Sequence, residues 1–135
     1  MTPLPSTKKL DPQFFSRLWD LAHEAGLVAV AKLNVVPMVV TAHANPLDDN
    51  SPVQQQWFVA DGVCGFAWVT VRPANSAFSR WMKENKGCHL AYGGGMQYWI
   101  SMFNQSMQRK EAYADAFADV LRQFGIKAYS GSRMD

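Results

Sequence analysis

Residues 64–71 read Cys64-Gly65-Phe66-Ala67-Trp68-Val69-Thr70-Val71, and Pro73 follows closely. Aromatic and β-branched side chains fill this run, which marks it as a strand. Pro73 has no N–H to give a ladder, so the strand stops there. Residues two apart on a strand share a face, which puts Phe66 and Trp68 on the same side. Two readings of that pair stand. In the plainer one they are core residues that meet the chain's long amphipathic helix. In the other they form a stacking platform.

Working upstream, the apolar run from Trp57 to Val71 contains Asp61-Gly62, a strong two-residue turn signal. It predicts a hairpin pairing 56–60 with 63–71. Residues 45–56 are rich in Pro, Asn, Asp and Gln and read as a loop, either a disordered or a partner-contacting insertion. Met38 to Ala42 reads as a strand after Pro37. Asp11-Pro12 opens a helix, with Phe15, Leu18, Trp19 and Ala22 at helical spacing and Gly26 placed to close it. Residues 27–33 suit either a second short helix or an extended stretch, and residues 1–10 read as an arm.

Downstream, Asn75 or Ser76 caps a helix that buries Phe78, Trp81 and Met82 and ends at Lys86-Gly87. Gly93-Gly94-Gly95 leads into a strand over 96–102. Asn104 or Ser106 caps the long helix, whose stripe is Tyr113, Phe117, Val120, Leu121 and Phe124, with Gly125 at its end. Ile126 to Tyr129 forms a last strand. The expected fold is a single α+β domain over 11–135. It has a mixed four- to five-stranded sheet and about three helices mainly on one face.

Composition bounds the function. A chain of 135 residues that is 48% apolar can bury a core without staples. No apolar run approaches the roughly 20 residues of a membrane span, so no membrane partner is expected. The first residues lack the apolar stretch of a secretory signal, which places the expected chain in the cytoplasm. Two cysteines suit reduced thiols better than a disulfide framework. A net charge of +2 is weak for a nucleic-acid-binding domain, although Arg72, Arg80, Lys83 and Lys86 form a local excess.

Chemistry-bearing patterns are few. Gly65 to Val69 approximates the aromatic strand motif of RNA-recognition domains, with Cys64 in place of the basic residue and Val71 in place of the last aromatic. Phe66 and Trp68 would stack bases there, assisted by Arg80 and Lys83 on the next helix. Asn104, Gln105 and Ser106 open the last helix, where Arg109 and Lys110 add donors for an anion and Arg133 joins the same edge. The triple glycine lacks the Lys-Ser/Thr of a nucleotide loop and reads as a turn. Cys64 or Cys88 with His23, His43 or His89 would be needed for nucleophilic catalysis, and Cys88-His89 are sequence neighbours that point apart. The histidines and cysteines match no metal-ligand spacing. No catalytic residue, metal or cofactor is assigned.

Several stretches also carry a resemblance. Pro37-Met38-Val39-Val40, Gly62 to Val69, Asn75-Ser76-Ala77-Phe78, Asn104-Gln105-Ser106-Met107, Arg109 to Ala114 and Gly125 to Asp135 resemble a family of small proteins of tailed bacteriophages. The resemblance covers most of the chain from residue 37 onward. It implies a viral origin and a place in the bacterial host cytoplasm or in the virion, and it assigns no activity.

The leading expectation is a non-enzymatic phage accessory protein that binds a host or phage protein or self-associates. Five Trp and eight Phe in one small domain motivate it, since aromatics are enriched in interface cores. The alternatives are a single-stranded nucleic-acid-binding protein, a virion structural component and a small cysteine-dependent enzyme.

Overall fold

The computed structural model describes residues 12–33, 38–43, 53–59, 64–104 and 106–134. The expected arm over 1–10, the Asp61-Gly62 turn and most of the 45–56 loop lie outside the described residues.

The first helix, α1, spans Pro12–Ala31 and runs through Gly26 without a break. Gly26 therefore does not cap the helix. It faces the Tyr113 ring, and a Cβ at this position would overlap the ring carbons. The missing side chain serves close packing between two helices, and residues 27–31 are helical as a consequence.

Strands β1 (Met38–His43) and β2 (Val53–Val59) pair antiparallel, with Met38 opposite Val59. The expected hairpin between 56–60 and 63–71 is therefore corrected, and β2 begins inside the expected loop. The reason lies in β3, Gly65–Arg72. One of its edges is taken by β5 (Met96–Trp99) and the other by β6 (Lys127–Met134). No edge of β3 is left for β2 to join.

The main sheet has the order β4-β5-β3-β6, where β4 is the short His89–Leu90. It is the four-stranded sheet of an α+β fold, but every pairing is antiparallel where a mixed sheet was expected. Helix α2, Ala77–Lys86, follows β3, and a direct return to the sheet would have run parallel to β3. The β4–β5 turn through Gly93-Gly94-Gly95, all at positive φ, reverses the chain first.

Local signals explain the helix ends. Ser76 Oγ accepts the Ser79 N–H at 3.2 Å, and the Gly87 N–H returns to the Met82 carbonyl. Helix α3, Met107–Gln123, starts at Ser106, whose Oγ accepts the Arg109 N–H at 3.3 Å.

The core lies on one face of the sheet. Ala67, Val69 and Val71 of β3 and Ala128 of β6 are buried with Tyr113, Ala114, Phe117 and Leu121 of α3. Helix α1 packs on α3 and brings Leu18, Trp19 and Ala22 into the core, while its Phe15 meets Phe78 and Trp81 of α2, which also adds Met82. Trp19 is central, with ring centroids 4.8 Å from Phe117 and 4.7 Å from Tyr98. The Phe117 pair is edge-to-face, and pairs of that kind add about 0.5–1.5 kcal/mol each beyond their buried area.

The Gly26 contact gives a test of the packing. Alanine raises intrinsic helix propensity by about 1 kcal/mol, yet here its methyl meets the Tyr113 ring. Gly26→Ala is expected to lose about 1–3 kcal/mol net in urea unfolding, the range for overpacked cores. An unchanged or higher midpoint would show that α1 and α3 do not approach this closely.

Candidate functional site

The even-numbered residues of β3 point away from the core. Phe66 and Trp68 are half-buried, lie opposite the face that carries Ala67, Val69 and Val71, and take no part in the core cluster. The plainer sequence reading, in which they meet the long helix, is thereby corrected. The long helix is covered instead by Val69, Val71 and their neighbours, one residue out of phase.

Cross-strand register builds the outer face. Trp68 stands opposite Trp99 on β5 and Gly131 on β6, and Phe66 stands opposite Arg133. The Trp68 and Trp99 centroids are 5.2 Å apart at 35°, and the Phe66 ring meets Trp99 edge-on at 5.7 Å. Gly131 makes room on the other flank: a Cβ there would fall 2.5 Å from Trp68 Nε1, so the indole lies across bare backbone. Three rings thus form one continuous apolar surface. Further along, Gln97, Thr70 and Tyr129 form the next row, and Tyr129 is 51% exposed.

Cations flank this surface at both ends. The Arg133 guanidinium lies 5.4 Å from the Phe66 centroid and 5.9 Å from that of Trp99. Lys110 Nζ is 5.5 Å from the Phe66 centroid, and it donates to the Gly65 carbonyl at 3.3 Å. At the far end Arg72 and Lys127 are register partners, like charges placed side by side. That arrangement is unfavourable on its own, and among the described residues no ion pair involves Arg72, Lys127 or Arg133. Arg72 and Lys127 also line a hollow of about 660 Å³ together with Thr70, Pro73, Tyr129 and Ser130.

The remaining sequence candidates divide. Arg80 and Lys83 are exposed on α2, which joins the core on the helical side of the sheet, so they do not flank Phe66 and Trp68. Arg72, Lys127 and Arg133 occupy that role. At the start of α3, Ser106 is buried and spent as a cap, and Asn104 is exposed with φ 51. Arg109 is half-buried, and Gln105 lies outside the described residues. Lys110 is only 5% exposed, and its Nζ lies over the Phe66 ring. The expected anion cluster at this helix start is therefore dispersed, while Lys110 and Arg133 converge on Phe66.

Sequence reading missed Trp99, Gln97, Tyr129 and Lys127. Trp99 was findable from the alternation in Met96-Gln97-Tyr98-Trp99, since Tyr98 packs inward on Trp19 and Phe117. The last strand was read to Tyr129 but continues to Met134, so its contribution to the face was not visible.

Thiol chemistry finds little support. Cys88 is buried, its Sγ lies 4.0 Å from the Lys86 carbonyl, and burial pushes its thiol up to about 11 against a small opposing pull from Lys86. Cys64 is exposed. His23 Nδ1 is 2.5 Å from the Tyr113 hydroxyl, whose ionisation burial pushes well above the ordinary tyrosine range. Among the described residues no histidine bonds to either thiol and no group of His, Cys, Asp and Glu is placed to hold a metal. The His43 side chain lies outside the described residues. No helix among the described residues is long and apolar enough to cross a membrane.

Compared with protein-family models, curated proteins and solved structures, the chain matches none.

The two thiols should separate cleanly. Thiolate is the reacting species, and a pKa of about 11 leaves almost none at Cys88 near pH 8. An Ellman titration at pH 8 is expected to count one fast thiol, Cys64, in native protein and two in urea. Fast reaction of both in the native state would contradict the burial of Cys88.

Proposed function

We propose that the outer face of the main sheet binds single-stranded nucleic acid. Bases stack on Phe66, Trp99 and Trp68, and the backbone runs along Arg133, Lys127 and Arg72. The observation that carries this reading is the ring series itself, set on the side of β3 opposite the core residues Ala67, Val69 and Val71. Aromatic surface left beside water is costly to keep, and base faces are a natural cover for it.

The chemistry is sequence-tolerant in its main part. Stacking contributes about 1–3 kcal/mol per base. The run from Phe66 to Arg72 spans about 20 Å at the usual strand rise, enough for a footprint of about four nucleotides, the small end for such sites. The cations make the affinity fall with salt, by a log–log slope of about −0.7 per phosphate contact for single strands. The setting we propose for this activity is a tailed-phage infection of a bacterial cell, which the resemblance from residue 37 onward supports.

Anisotropy titration with labelled DNA and RNA octamers at 50 and 200 mM salt tests the reading. Micromolar binding with a slope near −2 is expected. Trp68→Ala and Phe66→Leu should each weaken it roughly five- to a hundredfold, with folding checked by circular dichroism. Absence of binding at low salt, or folded variants that bind as well as the native chain, would overturn the proposal.

A protein partner is a second reading, favoured by Leu21, Leu27 and Val28, which are 51%, 42% and 48% exposed on α1. Leu21 and Val28 are two helical turns apart and share a side. On this reading Leu21→Glu with Val28→Glu abolishes capture of the host or phage protein, or self-association, and leaves octamer binding untouched. If the native chain sediments as a monomer and captures nothing that this variant loses, the reading fails.

A further inference from the structure

The last pair in the β3–β6 ladder is Arg72 opposite Lys127. Both are exposed, and as register partners they leave the sheet on one face with Cβ atoms about 4.5–5.5 Å apart. Gly95 lies on the other flank of Arg72 at φ 90°, and a Cβ on it would fall 3.1 Å from Arg72 Cγ and 2.5 Å from Thr70 Cγ2. The stem of Arg72 therefore rests against bare backbone, which limits where its guanidinium can reach.

Arg72 and Lys127 stand between two hollows. They line the one of about 660 Å³ with Thr70 and Tyr129, and a smaller one of about 310 Å³ with Ser76 and Ala77, where α2 begins. Among the described residues no Asp or Glu lines either hollow. Asp115 accepts the Ser130 hydroxyl at 2.5 Å and lines neither. Strand β3 ends at Arg72, so the row of outer-face side chains that starts with Phe66 ends at this cation pair.

The charge of the pair selects among phosphates. An internal phosphodiester brings one negative charge on two free oxygens. A terminal monoester brings close to two above pH 7, on three oxygens. Two of those oxygens match the guanidinium fork of Arg72, and the third remains for the Lys127 ammonium. We infer that Arg72 and Lys127 seat the terminal monoester phosphate of a single strand, so that the outer face prefers a phosphorylated strand end to a strand interior. The inference rests on the nucleic-acid reading of the same face and adds a direction to it. With its phosphate seated at Arg72, the strand runs back over Thr70 toward Trp68 and Phe66, and a fixed ring series suits one chain direction better than the other. Both cations are exposed, where charge pairs contribute less than buried ones, so the gain is about three- to tenfold in affinity.

The test uses unlabelled dT tetramers, matched to the footprint of the face, with a 5′-phosphate, a 3′-phosphate or neither. They are titrated to millimolar concentration against the full chain by quenching of tryptophan fluorescence at 50 mM salt. The two phosphorylated tetramers carry the same charge, so any difference between them reports a seat and not net charge. One of them is expected to bind three- to tenfold more tightly than the other. Arg72→Gln and Lys127→Gln, with folding checked by circular dichroism, should each bring that ratio toward one. Arg80→Gln removes the same charge from the helical side of the sheet and should leave it unchanged. Equal binding of the two phosphorylated tetramers, or a ratio that survives in both folded variants, overturns the inference and leaves the nucleic-acid reading intact. Inorganic phosphate that displaces the favoured tetramer at equal concentration would assign the hollow to free phosphate and also overturns it. If no tetramer binds, the nucleic-acid reading fails and the inference falls with it.

Discussion

Everything in this molecule depends on the two faces of β3. A strand's period of two sends Ala67, Val69 and Val71 to one side and Phe66, Trp68 and Thr70 to the other. The small and β-branched set is buried beneath α3, where Phe117 and Tyr113 fill the space that short side chains leave. Phe66 and Trp68 stay half-buried on the outer side, with Thr70 packed beside them at 9% exposure. A shift of one residue in register would exchange the two faces and put the indole of Trp68 into a layer sized for valine.

The two glycines that matter most enforce this arrangement from opposite sides. Gly26 lets α1 come down onto the Tyr113 ring, which tightens the helical layer over the inner face. Gly131 lets the Trp68 indole lie across β6, which flattens the outer face. Neither acts through a turn. Each is a place where a side chain has been removed so that an aromatic ring can occupy the volume.

The outer face combines apolar rings with cations that have no carboxylate partner among the described residues. Arg133 and Lys110 converge on Phe66, while Arg72 and Lys127 stand side by side at the other end. Fixed like charges raise the energy of the unliganded state and lower it when an anion arrives. Between them, the Trp99 indole N–H donates to Gln97 Oε1 at 2.6 Å.

The sequence by itself determined the elements whose signals are local. The caps at Ser76 and Ser106, the end of α2 at Gly87, the stripe of α3 and the strand character of 64–71 follow from side-chain chemistry within a few residues. It also determined that Phe66 and Trp68 share a face, because that depends only on strand period. Tertiary structure alone decided which way the face points, since burial depends on what packs across from it. It decided that Gly26 sits within a helix, because Tyr113 lies 87 positions away in the chain. It decided that β2 pairs with β1, since β5 and β6 had already claimed both edges of β3. And it brought Trp99, Lys127 and Arg133 beside Phe66 and Trp68, because strand neighbours are chosen by long-range pairing and no local signal records it.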